Sequence, residues 1–444
     1  MFWVKWLIEI ICLEIDLSNL DILNLEWTNS DRDLHIVTPV LIYLQKKYNL
    51  SFQTKSIFNG YYYLIKYRPK ILLISNFGGA GINNEIVKLA YGMGIKVVSF
   101  ISEGNVKEEA LEQFLWGWNR DKILYVDKML LWSKRSENIF LFKYPNLKDK
   151  LITTGATGFD RYKLLSFQNK KFFLEKNHLN YKKIIGIAAW GFDHLFGDYY
   201  KRNEKYYLDV FGQEQIAMHQ YDLFELQKIY KQLIESNQDT LFILRYHPGT
   251  IDFEKNEFYG LEKYKNVFVS NKFTNNHYQI SDLINISDLW IGYETTTALE
   301  SWLLNKQTFL INPTRSDFIR ENVHKGSPIV NSFENAQSLI DEFFTYKTIK
   351  EFKKLQSFRD EIIKEVIEYG DGKNYIRASE EVMKIYNQPD RNIKYNSKLY
   401  MGMVKQMLKL TLSKTIIKKR WSELEYRRDF PKPYQEMYNK AIDV

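Results

Sequence analysis

Short apolar runs alternate with amphipathic segments of helix length along the first 170 residues. The amphipathic segments, such as 33–48 and 83–94, repeat apolar positions at the spacing of one buried helix face. The second ends at Gly94, and glycine is typical of helix C-termini. Because strands joined by helices lie parallel, the pattern predicts a parallel sheet with helices on both faces. Its strand candidates are 22–27, 50–57, 70–75, 96–102, 128–132 and 150–155.

The same alternation begins again after a polar, lysine- and asparagine-rich stretch at 167–183. Two consecutive units of this kind predict an α/β protein with two facing Rossmann-like domains and a cleft between them. We assign the first domain to residues 1–170, the second to 171–385 and a basic helical extension to 386–444. The strand candidates of the second domain are 184–189, 241–248, 266–271, 289–293, 307–313 and 327–332.

The positive charge of the chain is concentrated in the extension. From Tyr386 onward there are 13 Lys and Arg and 6 Asp and Glu residues, a net charge of +7, whereas the whole chain carries +8. The nearly neutral body argues against nucleic acid as a partner. The segment 398–421 interleaves apolar residues with lysines. This pattern predicts either docking on an anionic membrane surface or packing on the first domain.

Cysteine content and hydropathy limit the cellular compartments in which we expect the protein. The single cysteine, Cys12, excludes an internal disulfide framework and a cysteine-based zinc site, and favours a reducing cytosol. Lys5 and Glu9 interrupt the apolar N-terminus, and no stretch has the roughly 18 uncharged apolar residues of a spanning helix. We expect a cytoplasmic protein, at most peripheral on the inner face of the cytoplasmic membrane.

The strand candidate 241–248, in the stretch "LFILRYHPGT" (241–250), ends in a histidine followed by proline. Pro248 ends the strand and favours extended backbone at His247. The imidazole would then project from the carboxyl edge of the sheet, where open α/β sheets bind ligands. It could donate a hydrogen bond to a phosphate and stabilise a leaving group, with Arg245 and Gly249 beside it. The alternative is that His247 caps a loop.

A hydroxyl cluster follows a second strand of this domain. The strand ends before Glu294. The chain then runs through Thr295, Thr296 and Thr297 into an apolar helix that carries Glu300. Hydroxyl groups and unpaired backbone N–H groups at a helix start can bind an anion. We favour a phosphate site, and the alternative is an ordinary helix cap.

The first domain offers weaker candidates. Glu103 follows a strand, and a carboxylate at the carboxyl edge of a sheet is a plausible general base. The glycine loop at 75–85 does not match the dinucleotide fingerprint GxGxxG. Its glycines either allow close approach of a ligand or form a tight turn. The residues expected to line the cleft are Ser102, Gly104, Gly78, Gly79, Gly81 and Gly155.

The sequence gives little support for a metal-binding site. Asp31 and Asp33 have the DxD form but lack partner carboxylates. His194 follows the first strand of the second domain, and we expect it to be a surface-loop histidine. We therefore predict neither a metal nor another cofactor.

An acidic-glycine loop, a His-Pro motif and a hydroxyl cluster follow one another along the chain. This order resembles that of bacterial sialyltransferases and Kdo transferases of the GT-B fold. The segment 287–313 also resembles surface carbohydrate biosynthesis proteins of capsule and O-antigen assembly. The resemblance covers about residues 20–385. It implies metal-independent transfer of a 2-keto acidic sugar (sialic, pseudaminic or legionaminic acid, or Kdo) from a CMP-activated donor to a glycan or lipid-linked hydroxyl.

The resemblance also implies roles for individual residues. His247 would contact the donor phosphate and assist departure of the nucleotide, and the three threonines would bind the phosphate or the donor carboxylate. Glu103 would deprotonate the acceptor hydroxyl, and Glu300 resembles the carboxylate that holds the nucleotide ribose. Ser102 departs from the family, which has an acidic residue at that position.

Two other functions fit the same fold. One is a CDP-glycerol-type transferase or a UDP-N-acetylglucosamine 2-epimerase-like enzyme, although an epimerase needs several acid–base carboxylates. The other is a non-catalytic subunit that binds a nucleotide sugar within a glycan assembly complex.

Overall fold

Two six-stranded parallel β-sheets organise the chain. The computed structural model describes residues 20–27, 31–78, 81–108, 111–117, 119–270, 278–314, 322–391, 404 and 432–444. The first sheet consists of β1 (Ile22–Glu26), β2 (Phe52–Ser56), β3 (Ile71–Ile74), β4 (Lys96–Ser99), β5 (Lys128–Leu131) and β6 (Leu151–Thr153). The second consists of β7 (Lys183–Ala188), β8 (Thr240–Arg245), β9 (Val267–Ser270), β10 (Leu289–Gly292), β11 (Gln307–Ile311) and β12 (Ile329–Val330).

Helices alternate with these strands. In the first half they are α1 (Asp31–Tyr48), α2 (Gly60–Tyr67), α3 (Gly81–Gly92), α4 (Leu111–Trp116), α5 (Lys134–Lys143), α6 (Arg161–Leu164), α7 (Lys170–Lys176) and α8 (Gly197–Phe211). Further along are α9 (Gln213–Ser236), α10 (Ile280–Ile286), α11 (Thr297–Leu303), α12 (Phe333–Tyr346), α13 (Lys350–Lys354), α14 (Gln356–Ile367), α15 (Asn374–Tyr386) and α16 (Lys432–Ala441). The predicted α/β architecture with two parallel sheets is confirmed.

The strand orders place one topological switch point in each sheet. The first sheet has the order β2-β1-β3-β4-β5-β6, and the second has β12-β11-β10-β7-β8-β9. The chain therefore reverses its direction of winding between β1 and β3, and again between β7 and β10. The loops that leave such neighbouring strands diverge at the carboxyl edge and open a crevice for a ligand.

The chain divides into two compact units at positions that the sequence pattern did not give. The described parts of Met1–Leu165 and Lys364–Val444 form the first unit, and those of Ser166–Ile363 form the second. The pattern assigned 333–385 to the second domain, but α15 lies in the first unit. Its apolar residues Tyr375, Ala378 and Val382 share a buried cluster with residues of β1 and α1. An amphipathic pattern shows that a helix has an apolar face and does not show which sheet covers it.

The C-terminal helix α16 also packs on the first unit. Lys46 Nζ donates to the carbonyl oxygens of Asn439 and Ile442, at 2.8 Å each. A 2.9 Å hydrogen bond joins His35 Nδ1 to the hydroxyl of the buried Tyr438. The basic segment 398–421 lies outside the described residues apart from Val404, so its docking on a membrane stays a prediction. In the described part of the chain, no helix combines the length and apolarity needed to cross a bilayer.

Candidate functional site

The loop that follows β8 holds His247 at the carboxyl edge of the second sheet. The strand ends at Arg245, and His247 and Pro248 are exposed. The backbone N–H of Gly249 donates to His247 Nδ1 at 3.1 Å. A nitrogen that accepts a hydrogen bond carries no proton, so a neutral His247 ring carries its proton on Nε2. The ring is therefore oriented as an Nε2–H donor.

Two glycines leave room for this imidazole. Gly191 lies in the loop after β7 with φ of +109°, a backbone conformation that favours glycine. A Cβ atom at Gly191 would lie 3.3 Å from His247 Nδ1, and one at Gly249 would lie 3.1 Å from the same atom. The loops after β7 and β8 thus meet around the ring of His247.

A buried hydrogen-bond network supports the switch point between β7 and β10. Tyr293, just past β10, donates its hydroxyl proton to Asp222 Oδ2 at 2.6 Å. His219 Nδ1 lies 2.9 Å from the same hydroxyl, so His219 must be the donor of that bond. Trp190, just past β7, stacks on His219 with ring centroids 4.5 Å apart. The network fixes the start of both loops against α9, which carries His219 and Asp222.

The three threonines occupy different environments. Thr297 accepts a hydrogen bond from Trp290 Nε1 at 2.8 Å, and its hydroxyl lies 2.8 Å from that of Thr295. Thr295 Oγ1 also accepts from the backbone N–H of Thr297 at 3.1 Å. The bond from Thr297 N–H to Thr295 closes a short turn before α11, and Thr296, at the cap position of that helix, makes no side-chain capping hydrogen bond. The phosphate site and the helix cap therefore both stay open as roles of the cluster. Thr296 is exposed, which makes its hydroxyl the most accessible of the three.

The acidic residues of this segment are partly buried. Glu294 and Glu300 lie on either side of the threonines, at the end of β10 and within α11. Both are intermediate in exposure, as is Arg245 at the end of β8. All three remain candidates for contacts with a donor substrate.

A fully buried carboxyl group that the sequence analysis missed lies behind the His247 loop. Glu257 accepts a 2.7 Å hydrogen bond from the backbone N–H of Trp190 through Oε1, whereas its buried Oε2 has no partner. Burial raises the pKa of Glu257 to about 7, and the nearby Asp193 carboxylate also raises it. Nothing in its sequence surroundings distinguished Glu257 from a surface glutamate, because burial depends on distant residues.

The switch point of the first sheet holds another buried acid, Glu26. It is the last residue of β1 and accepts a hydrogen bond from the Ser75 hydroxyl just past β3. Burial raises the pKa of Glu26 well above its ordinary value, and the charge of Asp33 adds to this. The neutral carboxylic acid is therefore favoured. The sequence signal for Glu26 was the presence of a glutamate within the apolar run 22–27.

The predicted base, Glu103, lies on the surface of the same edge. Its side chain is 76% exposed and forms a 2.9 Å ion pair with Arg32 at the start of α1. Ser102 is buried and donates to the carbonyl oxygen of Ser75 at 3.4 Å. The loops after β3 and β4 and the start of α1 therefore meet in the first unit.

Packing accounts for two of the glycines expected to line a cleft. A Cβ atom at Gly104 would lie 2.2 Å from the Trp132 ring. Gly155 has φ of +87°, and a Cβ atom there would lie 2.0 Å from Asn374 Oδ1 at the start of α15. These contacts explain both glycines without a ligand. Of the glycine loop, Gly78 is partly buried, Gly81 begins α3 and Gly79 lies outside the described residues.

His194 is not the surface-loop histidine that the sequence suggested. It is half-buried, with Nε2 3.0 Å from the carbonyl oxygen of Gly249 and Nδ1 3.4 Å from the Tyr207 hydroxyl. Within the described ranges, no group of three or more His, Cys, Asp or Glu side chains is arranged to hold a metal ion.

Several solved structures are similar to that of this chain. MnaA of S. aureus, solved with UDP, is 13% identical with a TM-score of 0.55, over 85% of this chain and all of that one. UDP-GlcNAc 2-epimerase of Neisseria meningitidis, bound to UDP-GlcNAc, is 12% identical with a TM-score of 0.52, over 82% of this chain and all of that one. The wall teichoic acid polymerase TagF is 14% identical with a TM-score of 0.51, over 85% of this chain and 93% of that one.

No protein-family model matches the sequence, and no curated protein matches it either. The structural similarity, with TM-scores of 0.51 to 0.55, establishes the fold, and identities of 12–14% leave the reaction open. The GT-B part of the resemblance is therefore confirmed, whereas its sialyltransferase and Kdo transferase part stays a prediction. The chain has the two-domain GT-B fold.

Proposed function

We propose that the protein is an enzyme of surface-glycan biosynthesis that binds a nucleotide-activated donor at the carboxyl edge of its second sheet. The observation that carries the proposal is the exposed His247 ring, oriented as an Nε2–H donor beside the switch point. An N–H donor fixed in this way suits a phosphate group, which has only acceptor oxygens. Thr296 and Arg245 would complete the contacts with the donor, with Glu294 and Glu300 nearby.

The donor that we favour is a nucleoside diphosphate derivative. Two of the similar structures hold UDP or UDP-GlcNAc, and a third is a teichoic acid polymerase. This supports a UDP-GlcNAc 2-epimerase-like enzyme or a CDP-glycerol-type transferase ahead of transfer from a CMP-activated sugar. The CMP-linked 2-keto sugar is the second candidate, favoured by the order of the sequence motifs. As proposed, the reaction requires no metal.

We propose that the acid–base groups of the reaction are carboxyl groups of the first unit. Epimerisation at a sugar carbon needs acid–base groups, and the edge formed by β1, β3 and β4 holds Glu26, Asp33 and Glu103. Transfer to an acceptor hydroxyl, on a glycan or a lipid-linked glycan, needs one base. Glu103 is the exposed carboxylate of this edge and the proposed base, whereas Glu26 and Asp33 are buried beneath the surface.

Calorimetric titration with UDP, CDP, CMP and GDP, first without metal and then with Mg²⁺, tests the donor class. We expect UDP or CDP to bind without Mg²⁺ and more tightly than CMP or GDP. Tightest binding of CMP would overturn the favoured donor class and support the CMP-sugar candidate. No binding of any of the four would remove the proposed function.

The reaction type is tested by incubating the enzyme with UDP-GlcNAc in D₂O. Epimerisation breaks the C2–H bond of the sugar, so deuterium at C2 would identify an epimerase. Loss of the nucleotide only when an acceptor is present would identify a transferase. Nucleotide binding without either reaction would favour the non-catalytic subunit.

Replacing Glu103 with glutamine tests the proposed base. We expect turnover to fall by about 10²- to 10⁴-fold, because the amide cannot accept the proton, while UDP binding stays unchanged. The measurement pairs the rate of product formation with calorimetric titration. Glu108→Gln, at an exposed glutamate of the same loop, is the matched control. Full turnover in Glu103→Gln would show that this carboxylate is not the base.

A further inference from the structure

Two consecutive residues of the loop after β7 hold the backbone of the His-Pro-Gly loop. Asp193 Oδ2 accepts hydrogen bonds from the N–H groups of Ile251 at 2.7 Å and Asp252 at 3.1 Å. His194 Nε2 lies 3.0 Å from the carbonyl oxygen of Gly249. A carbonyl oxygen only accepts, so His194 must carry a proton on Nε2.

The other nitrogen of the His194 ring is held by α8. The Tyr207 hydroxyl lies 3.4 Å from His194 Nδ1, and this hydroxyl is the donor when the ring is neutral. Burial raises the pKa of Tyr207, so its hydroxyl keeps its proton. The ring of His194 thus has a partner on each side, one on α8 and one on the loop that carries His247.

Gly249 lies between the two imidazole rings. A Cβ atom at this position would lie 3.1 Å from His247 Nδ1 and 3.4 Å from His194 Nε2. The Gly249 N–H donates to His247, and its carbonyl oxygen accepts from His194. The N–H and carbonyl groups of Gly249 belong to adjacent peptide units, joined by two rotations that are permissive in glycine. With one group bonded to each histidine, both rotations are restricted only while both hydrogen bonds are made.

We propose that His194 is a positioning residue that acts on His247 through the backbone of Gly249. By holding the Gly249 carbonyl group, His194 keeps the Gly249 N–H directed at His247 Nδ1 and the His247 ring oriented as an Nε2–H donor. The inference rests on the proposed role of His247 as a phosphate donor contact. It adds a residue that does not itself touch the phosphate.

A set of substitutions at position 194 tests this role by UDP titration. His194→Ala is expected to weaken UDP binding by about 3- to 10-fold, the effect of one hydrogen bond. Glutamine can place its amide nitrogen near the position of Nε2, whereas asparagine is too short. We therefore expect His194→Gln to restore most of the affinity and His194→Asn to behave like alanine. Equal affinity in all four proteins would overturn the inference.

A double-mutant cycle separates this inference from the proposed function. If His194 acts only through His247, then His194→Ala should weaken binding in the wild type and not in His247→Ala. Additive losses would overturn the positioning role. Loss of binding in His247→Ala alone, with His194→Ala unchanged, would remove the inference and leave the proposed function. Unchanged binding in His247→Ala would remove the phosphate contact of His247, on which both the inference and the proposed donor site rest.

A measurement that needs no ligand tests the inference even if His247→Ala binds UDP as the wild type does. Spectra that correlate the ring nitrogens and protons of ¹⁵N-labelled histidine report the tautomer and the hydrogen bonds of each of the 7 histidines. We expect His247 Nδ1 to show the shift of a hydrogen-bonded acceptor in the wild type and in His194→Gln. This signature should be lost in His194→Ala. Its persistence there would show that Gly249 is positioned without His194.

Discussion

His247→Ala is expected to weaken UDP or CDP binding by about 10- to 100-fold. A hydrogen bond to a charged group contributes about 1.5–3 kcal/mol, and each 1.4 kcal/mol is a factor of about ten in affinity. The free energy of unfolding should change little, because the ring is exposed and lies beyond the end of β8. Calorimetric titration measures the affinity, and urea denaturation followed by circular dichroism measures the stability.

His178→Asn provides the matched control for this substitution. His178 is an exposed histidine of the second unit with φ of +54°, a conformation that asparagine tolerates well. We expect this variant to bind the nucleotide as the wild type does. If His247→Ala retained wild-type affinity, the phosphate contact would be wrong, and the alternative of a loop-capping histidine would stand.

Replacing Glu257 with glutamine is expected to stabilise the protein at pH 8 and to have a much smaller effect near pH 4.5. The pKa of Glu257 is about 7 in the folded protein, against an ordinary value of 4.5. Between these values the folded state keeps the proton and the unfolded state releases it, so the free energy of unfolding falls as the pH rises. The loss amounts to about 3 kcal/mol at most and is complete above pH 7. Glutamine removes it because the amide does not ionise, and its oxygen can still accept from the Trp190 N–H.

Denaturant unfolding of the two proteins at several pH values between 5 and 8 measures this effect. The difference in free energy of unfolding between Glu257→Gln and wild type should grow in favour of the variant over this range. Glu254→Gln changes an exposed glutamate three positions earlier and should show no such growth. A difference that stays constant with pH would mean that Glu257 keeps its ordinary pKa.

Local patterns predicted the positions of the main elements and the His-Pro motif. Helix and strand periods are properties of neighbouring residues. The apolar run 70–75 therefore predicted β3, and the amphipathic segment 83–94 predicted α3. The same reasoning placed His247 at the exit of the strand candidate 241–248, whereas β8 ends two residues before it, at Arg245. The hydroxyl cluster was located correctly, but its two possible roles could not be separated. The contact from Trp290 to Thr297 forms only when β10 and α11 pack together, so neither segment alone could predict it.

The sequence by itself determined the fold class, the strand that precedes His247 and the acidic and hydroxyl residues near the strand ends, because each depends on local spacing. Only the tertiary structure decided that α15 packs in the first unit, that Glu26 and Glu257 are buried acids with raised pKa values, and that His194 contacts Gly249. The physical reason is that burial and hydrogen bonding join residues far apart in the chain. The pKa of a carboxyl group follows from the groups that surround it after folding.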